Sequence, residues 1–167
     1  RIVIMGTAGL GDGNVTPVAE FNIWQDAEAA KIVTESGLDN IIFVGWDACL
    51  GDCMLNPKEI KEIRESGKLG KFAIDCNKNL LEMNRERFGD DYLDMADPSA
   101  MSAALYPECI EKCEKYYCEV DVSAGPSYGA VLVDVNNVTG KEPNVYICSK
   151  LYADKYKEYI YRTLKVK

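Results

Sequence analysis

The sequence predicts an α/β fold: a layered, Rossmann-like open sheet, mostly parallel, with an antiparallel extension and helices on both faces. Three observations carry that reading. An apolar run, Ile2-Val3-Ile4-Met5, leads directly into a loop with four glycines and then a capped helix. A second apolar run, Ile41-Ile42-Phe43-Val44, ends at Gly45 and is again followed by helical sequence. The last third holds three stretches rich in β-branched and aromatic residues with Gly and Pro between them, which is the pattern of short strands.

Each element has its own local reason. Ile2–Met5 is a short run without polar alternation, as a strand buried on both faces requires. Asp26 as N-cap and Gly37 beyond the end bound a helix. Asn56, Pro57 and Glu59 stand at N-cap, N1 and N3 of a second, which Gly67 closes. An amphipathic helix is expected over Phe72 to Arg87, and Asp97-Pro98 restarts a helix through Ala104 with Asp97 as its cap. Strands are expected at Tyr116–Val122, Ala130–Val135 and Asn144–Cys148, and a closing helix at Tyr152 to Leu164. The 167 residues contain no repeat or linker, so residues 1–167 read as one domain. Because Arg1 leads straight into a core strand, that domain is expected to lack an N-terminal portion.

Composition narrows the function. A net charge of −8 disfavours nucleic-acid polymers, whose affinity rests on Lys and Arg. No apolar run approaches the length of a membrane span, and no signal-peptide layout is visible. With no histidine, the chain has no Ser-His-Asp or Cys-His machinery of its own. Seven cysteines, an odd number in a chain large enough for a core, read as reduced thiols in a cytoplasmic protein. Cys49/Cys53 and Cys109/Cys113 are spaced four apart, which on a helix puts each pair on one face.

Two segments could carry chemistry. Gly13-Asn14-Val15-Thr16-Pro17-Val18-Ala19-Glu20-Phe21-Asn22-Ile23-Trp24 follows a strand and a glycine loop, where open sheets bind ligands. Asn14, Glu20 and Asn22 offer amide donors and a carboxylate acceptor, suited to vicinal hydroxyls. The same residues would equally serve as a left-handed turn at Asn14 and as caps of the helix at Asp26. Dinucleotide binding through the glycine loop is a weaker reading, since Gly9-x-Gly11-x-Gly13 misses the dinucleotide spacing and no Gly-Lys-Ser/Thr follows. In the second segment, Met95-Ala96-Asp97-Pro98-Ser99-Ala100-Met101, Asp97 is either a hard-cation ligand or a plain N-cap. The neighbouring Asp90, Asp91 and Asp94 read as a solvated face. Trp24 and Trp46 read as core or rim residues.

Taken together, the two segments resemble a known family. Gly13 to Ile23 with Asp26-Ala27-Glu28-Ala29-Ala30 is similar to the G-N-x-T-P-x-A-E-F-N-I…D-P-E-A-A signature of the inosine–uridine-preferring nucleoside hydrolases. Val44-Gly45-Trp46-Asp47 resembles the family's G-L-D segment, and Asp97-Pro98-Ser99-Ala100-Met101 its H-D-P-x-A segment. The region from Val133-Asp134 to Asn144 matches near the C-terminus, so the resemblance runs the length of the chain in the family's order.

The resemblance implies the C-terminal portion of the nucleoside hydrolase fold and calcium-dependent cleavage of ribonucleosides into ribose and base. It gives Asn14, Glu20 and Asn22 ribose hydroxyls to bind, lays Met5 against the ribose, and makes Asp97 a ligand of calcium and ribose. It also implies a homodimer or homotetramer. The family's D-x-D-x-x-x-D-D cluster, with most calcium ligands and the water-activating aspartate, is nowhere in these residues. Ala96 stands where relatives carry a His or Trp. The chain by itself is therefore expected to be inactive, and the resemblance leaves base preference open. A ribose-binding homologue without catalysis is the alternative.

Overall fold

The computed structural model describes residues 1–166. Its elements run β1 (Ile2–Met5), α1 (Phe21–Gln25), α2 (Ala27–Thr34), β2 (Ile41–Val44), α3 (Pro57–Glu65), α4 (Lys68–Asp75), α5 (Lys78–Phe88), α6 (Ala96–Leu105), β3 (Ile110–Tyr116), β4 (Cys118–Val120), β5 (Val131–Val133), β6 (Val145–Leu151) and α7 (Ala153–Leu164). One sheet has the order β1-β2-β6-β3, with β1, β2 and β6 parallel and β3 antiparallel to β6. This is the mostly parallel sheet with an antiparallel extension that the sequence predicts. β4 and β5 form a separate antiparallel ribbon.

Alternation along the strands divides the core in two. Ile41 and Phe43 of β2 and Val145 and Ile147 of β6 face α1, α2 and the β4–β5 ribbon, joining Ile23, Ala27, Cys118 and Val120. Val44 and Cys148 face the other way, into a larger cluster with Ile63, Ile74, Ala103, Tyr156 and Ile160. Helices therefore cover both faces. Among the described residues, no helix is long and apolar enough to cross a membrane.

Most local signals are realised. Asn56 accepts from the Lys58 and Glu59 amides at 3.0 Å while Glu59 Oε2 accepts from the Asn56 amide at 2.8 Å, a complete capping box. Asp26 Oδ1 caps α2 through the Ala29 amide at 2.9 Å. Five expectations need correction. Ile2–Met5 is not a strand buried on both faces but an edge strand, with Ile2 exposed and Val3 to Met5 half-buried. The helix over Phe72 to Arg87 is two helices, α4 and α5, broken at Cys76-Asn77. The strand at Tyr116–Val122 is divided between the end of β3 and β4, and β3 begins at Ile110. The strand at Asn144–Cys148 extends to Leu151 and lies inside the main sheet, parallel to β2. Neither cysteine pair lies on an α-helix: Cys49 and Cys53 sit in successive 3-10 turns, and Cys109 precedes the strand that holds Cys113.

Candidate active site

β1 and β2 deliver their C-terminal ends to one edge of the sheet, and the site is built from the loops that leave them. After Met5 the chain turns at Thr7, a buried residue with φ of 73°, and reaches Gly9 with φ of 71°. Gly9 packs on Asp47: a Cβ there would lie 1.9 Å from Asp47 Oδ1. Asp47 Oδ2 accepts from the Leu10 amide at 2.9 Å, so this carboxylate ties the glycine loop to the end of β2. Its Oδ1 is buried without a hydrogen-bond partner among the described residues. Burial pushes the Asp47 carboxyl up to about 6, against the pull of the Leu10 and Ala48 amides.

The signature block folds around one carbonyl. The amides of Asn14, Val15 and Thr16 all point at Ala19 O, at 3.1, 3.3 and 3.4 Å, while the Gly13 amide donates to Pro17 O at 3.0 Å. Thr16 Oγ1 closes the turn from within by accepting from the Ala19 amide at 2.9 Å. Only glycine fits at position 13, since a Cβ would meet Thr16 O at 2.2 Å and Ala19 O at 2.4 Å. Ala19 itself is fully buried and bridges to Ala130.

This turn aims the polar side chains. Glu20 is the N-cap of α1, a helix the sequence reading does not contain, and its Oε1 and Oε2 accept from the Asn22 and Ile23 amides at 2.9 and 3.3 Å. Glu20 is 2% exposed. Burial raises its carboxyl above the ordinary range, and the negative charge of Asp97 adds to this, while amides of Asn22, Ile23 and Thr7 oppose it. Asn14 does not adopt the left-handed turn that its type allows. Its Oδ1 instead accepts from the Phe21 amide at 2.8 Å. Asn22 is exposed, and its Nδ2 lies 3.0 Å from Met5 Sδ and 3.4 Å from Met5 O.

The opposite wall comes from residues 94–98. The segment is anchored by paired backbone bonds between Leu55 and Leu93 at 2.9 and 3.0 Å and by the Tyr156 hydroxyl, which donates to Met95 O at 2.9 Å. α6 starts at Ala96 with Met95 as its cap, so Asp97 lies inside the first turn and is not the N-cap. Its carboxylate is exposed and accepts no hydrogen bond among the described residues. Asp94 corrects another expectation. It is not part of a solvated face but 6% exposed, accepting from Trp46 Nε1 at 2.8 Å and Asn84 Nδ2 at 2.5 Å.

The two walls enclose a cavity of about 400 Å³ lined by Met5, Asn14, Glu20, Asn22 and Asp97, the five residues singled out from the sequence. Phe21, Trp46, Asn77, Leu80, Asp94 and Ala96 are also among its lining residues. Trp46 is a buried wall residue with the Arg87 guanidinium 5.0 Å over its ring. Asn77 and Leu80 carry no sequence signal of their own, because only the break between α4 and α5 brings them to the cavity. Calcium takes six to eight oxygens, and no group of three or more ligating side chains is assembled among the described residues. These residues alone do not fit a calcium site.

Comparison with known proteins agrees with this architecture. The pyrimidine-specific ribonucleoside hydrolase RihB of Escherichia coli is 35% identical over 148 residues, covering 88% of this chain and 46% of RihB. A purine-preferring ribonucleoside hydrolase from Gardnerella vaginalis superposes with a TM-score of 0.82 at 27% identity, over 99% of this chain and 52% of that one. A plant nucleoside hydrolase shares the fold with a TM-score of 0.87 at 24% identity, over 99% and 54%. The chain thus spans about half the length of these relatives. Residues 1–158 match the family model described as inosine-uridine preferring nucleoside hydrolase, and the chain belongs to that family.

Proposed function

We propose that this chain supplies the ribose-binding wall of a ribonucleoside hydrolase, which cleaves the N-glycosidic bond with water to give ribose and a free base. The observation that carries the reading is the convergence of Met5, Asn14, Glu20, Asn22 and Asp97 on one cavity at the strand ends. Each ribose hydroxyl needs a donor and an acceptor. Asn14 uses its Oδ1 on Phe21 and keeps its amide hydrogens for a hydroxyl, while Asn22 holds its Nδ2 on Met5 and keeps its carbonyl oxygen. Glu20 accepts from the Asn22 and Ile23 amides, one on each oxygen, and lines the cavity as its carboxylate acceptor. Glu20 and Asp97 also place negative charge where the sugar ring turns cationic as the glycosidic bond breaks.

Asp97 is read as a calcium ligand, and a complete calcium site needs carboxylates beyond those assembled among the described residues. The chain by itself is therefore read as inactive. The relatives' names divide between pyrimidine and purine, and the substrate class stays at the ribonucleoside. A homodimer or homotetramer is part of the same reading, supported by β1 lying at the sheet edge, paired on one side with β2, with Ile2 exposed. A monodisperse monomer in sedimentation would refute that part.

A second reading, a homologue that binds ribose or nucleoside without hydrolysis, is favoured by one observation. Ala96 lines the cavity where a proton donor for the leaving base would stand, and the chain has no histidine. Calorimetric titration with ribose and with uridine and inosine tests both. Binding that is lost in Asn22→Ala supports the ribose wall, and binding indifferent to Asn22→Ala overturns it. Ribose release from the nucleosides by the pure chain would sink the claim that it is inactive alone.

A further inference from the structure

We propose that Cys113 and Cys148 are an oxidation site of this protein, forming a reversible disulfide across the β3–β6 ladder. The two are direct register partners in the antiparallel pair, and so project from the same face of the sheet. Opposed residues in such a pair have Cα atoms about 4.5 to 5.5 Å apart, inside the span of roughly 4.4 to 6.8 Å that a disulfide bridges. Both side chains lie on the side of the sheet that packs against α6 and α7, and Cys148 Sγ sits 4.0 Å from Lys150 O.

The pair is asymmetric in the way that directed exchange needs. Cys148 lies in a central strand and is fully buried, whereas Cys113 is half-buried on edge strand β3, next to register irregularities around Lys112. A small oxidant therefore reaches Cys113 first. The neighbouring Cys148 thiol holds the Cys113 thiol below the usual range, and the charge of Arg1 works in the same direction. The same proximity, with burial, pushes the Cys148 thiol up. Cys113 is the attacking thiolate and Cys148 the resolving thiol.

With glutathione disulfide as oxidant the step balances. Cys113 Sγ attacks one glutathione sulfur, the glutathione S–S bond breaks, and one glutathione thiolate leaves and takes up a proton. Cys148 then gives up its proton and attacks Cys113 Sγ, expelling the second glutathione. Two electrons pass from the protein thiols to glutathione disulfide. The new bond would sit directly behind the candidate site, since the Gly45 amide at the end of β2 donates to Cys148 O at 3.1 Å.

The other cysteines have no cysteine as a register partner among the described residues. Cys49 and Cys53 are buried, and their Sγ atoms approach backbone carbonyls of Trp46 and Leu151. Cys118 faces the other core. Cys76 is exposed, which makes it an internal marker of exposure to oxidant. The folded protein is incubated with glutathione disulfide, quenched in acid, blocked with N-ethylmaleimide in denaturant, and digested without reduction for mass spectrometry. A Cys113–Cys148 cross-linked peptide that dithiothreitol separates is expected. Cys148→Ser should stop at a stable glutathione adduct on Cys113, and Cys113→Ser should leave Cys148 as a free thiol. Both thiols recovered as maleimide adducts while Cys76 carries glutathione would overturn the proposal, as would Cys113 joined to any other cysteine. The unsubstituted protein alone decides the point if either variant fails to fold.

Discussion

The two walls of the candidate site differ in how finished they are. On the wall of residues 14–22, the side-chain oxygens of Asn14 and Glu20 hold backbone amides and Asn22 rests on Met5, so the wall is organised before any ligand arrives. On the wall of residues 94–98 the work is split between two carboxylates three residues apart. Asp94 is buried and bound to Trp46 and Asn84, while Asp97 is exposed and engaged by neither backbone nor side chain among the described residues. One wall carries its binding geometry as part of the fold. The other uses one aspartate for architecture and leaves the second free for something outside the chain.

That contrast breaks or sharpens in stability measurements. Asp94→Ala should have the largest effect, because it strands the buried Trp46 Nε1 donor, at about 1 to 3 kcal/mol, and leaves Asn84 Nδ2 with Tyr92 O as its remaining partner. Chemical denaturation should show roughly 2 to 4 kcal/mol lost. If Asp94→Ala matches the unsubstituted protein, the buried network is not what holds this wall.

Next comes Asp47, the carboxylate behind the glycine loop. Its folded pKa of about 6 lies above the ordinary 3.8. The stability it contributes is therefore fully present below about 3.8 and is lost as pH rises through about 6. The loss is on the order of 3 kcal/mol, at about 1.4 kcal/mol per pH unit of displacement. Asp47→Asn should flatten that part of the stability–pH curve between pH 4 and 7. A variant with the same pH dependence as the unsubstituted chain would place the titration elsewhere.

Glu20→Ala removes the cap of α1 and should cost about 1 kcal/mol, in the range for lost N-caps. Asp97→Ala should shift the thermal midpoint least, within about 0.5 kcal/mol, as for an exposed side chain without partners. It should still weaken nucleoside binding in calorimetry if the open wall is a ligand wall. Equal stability losses for Asp94→Ala and Asp97→Ala would erase the distinction between the walls.

Much of this was legible before the chain was folded, and the exceptions share a cause. The caps at Asp26 and Asn56 depend on residues within four positions, so local sequence suffices for them. β3 is invisible locally because Ile110-Glu111-Lys112-Cys113-Glu114-Lys115-Tyr116 is a half-exposed edge strand whose charges point to solvent. Its strand identity comes from pairing with β6. The break at Cys76-Asn77 hides inside an unbroken amphipathic pattern. Asp94 reads as solvent-facing among Asp90, Asp91 and Asp97, since its partners lie 48 and 10 residues away.

The Gly13–Ile23 block takes most of its turn and cap geometry from its own atoms. Gly13 has no room for a Cβ, Thr16 closes the turn on Ala19, and Glu20 caps the helix it begins, so a short stretch of chain carries its own conformation. That autonomy makes the block recognisable as a motif and makes Asn14, Glu20 and Asn22 predictable together. Which carboxylate is buried, which thiols meet and which second wall faces the motif depend on contacts between residues far apart in sequence. Desolvation and hydrogen bonding are set by the neighbours an atom acquires in space, and only the packed sheet and helices supply those neighbours.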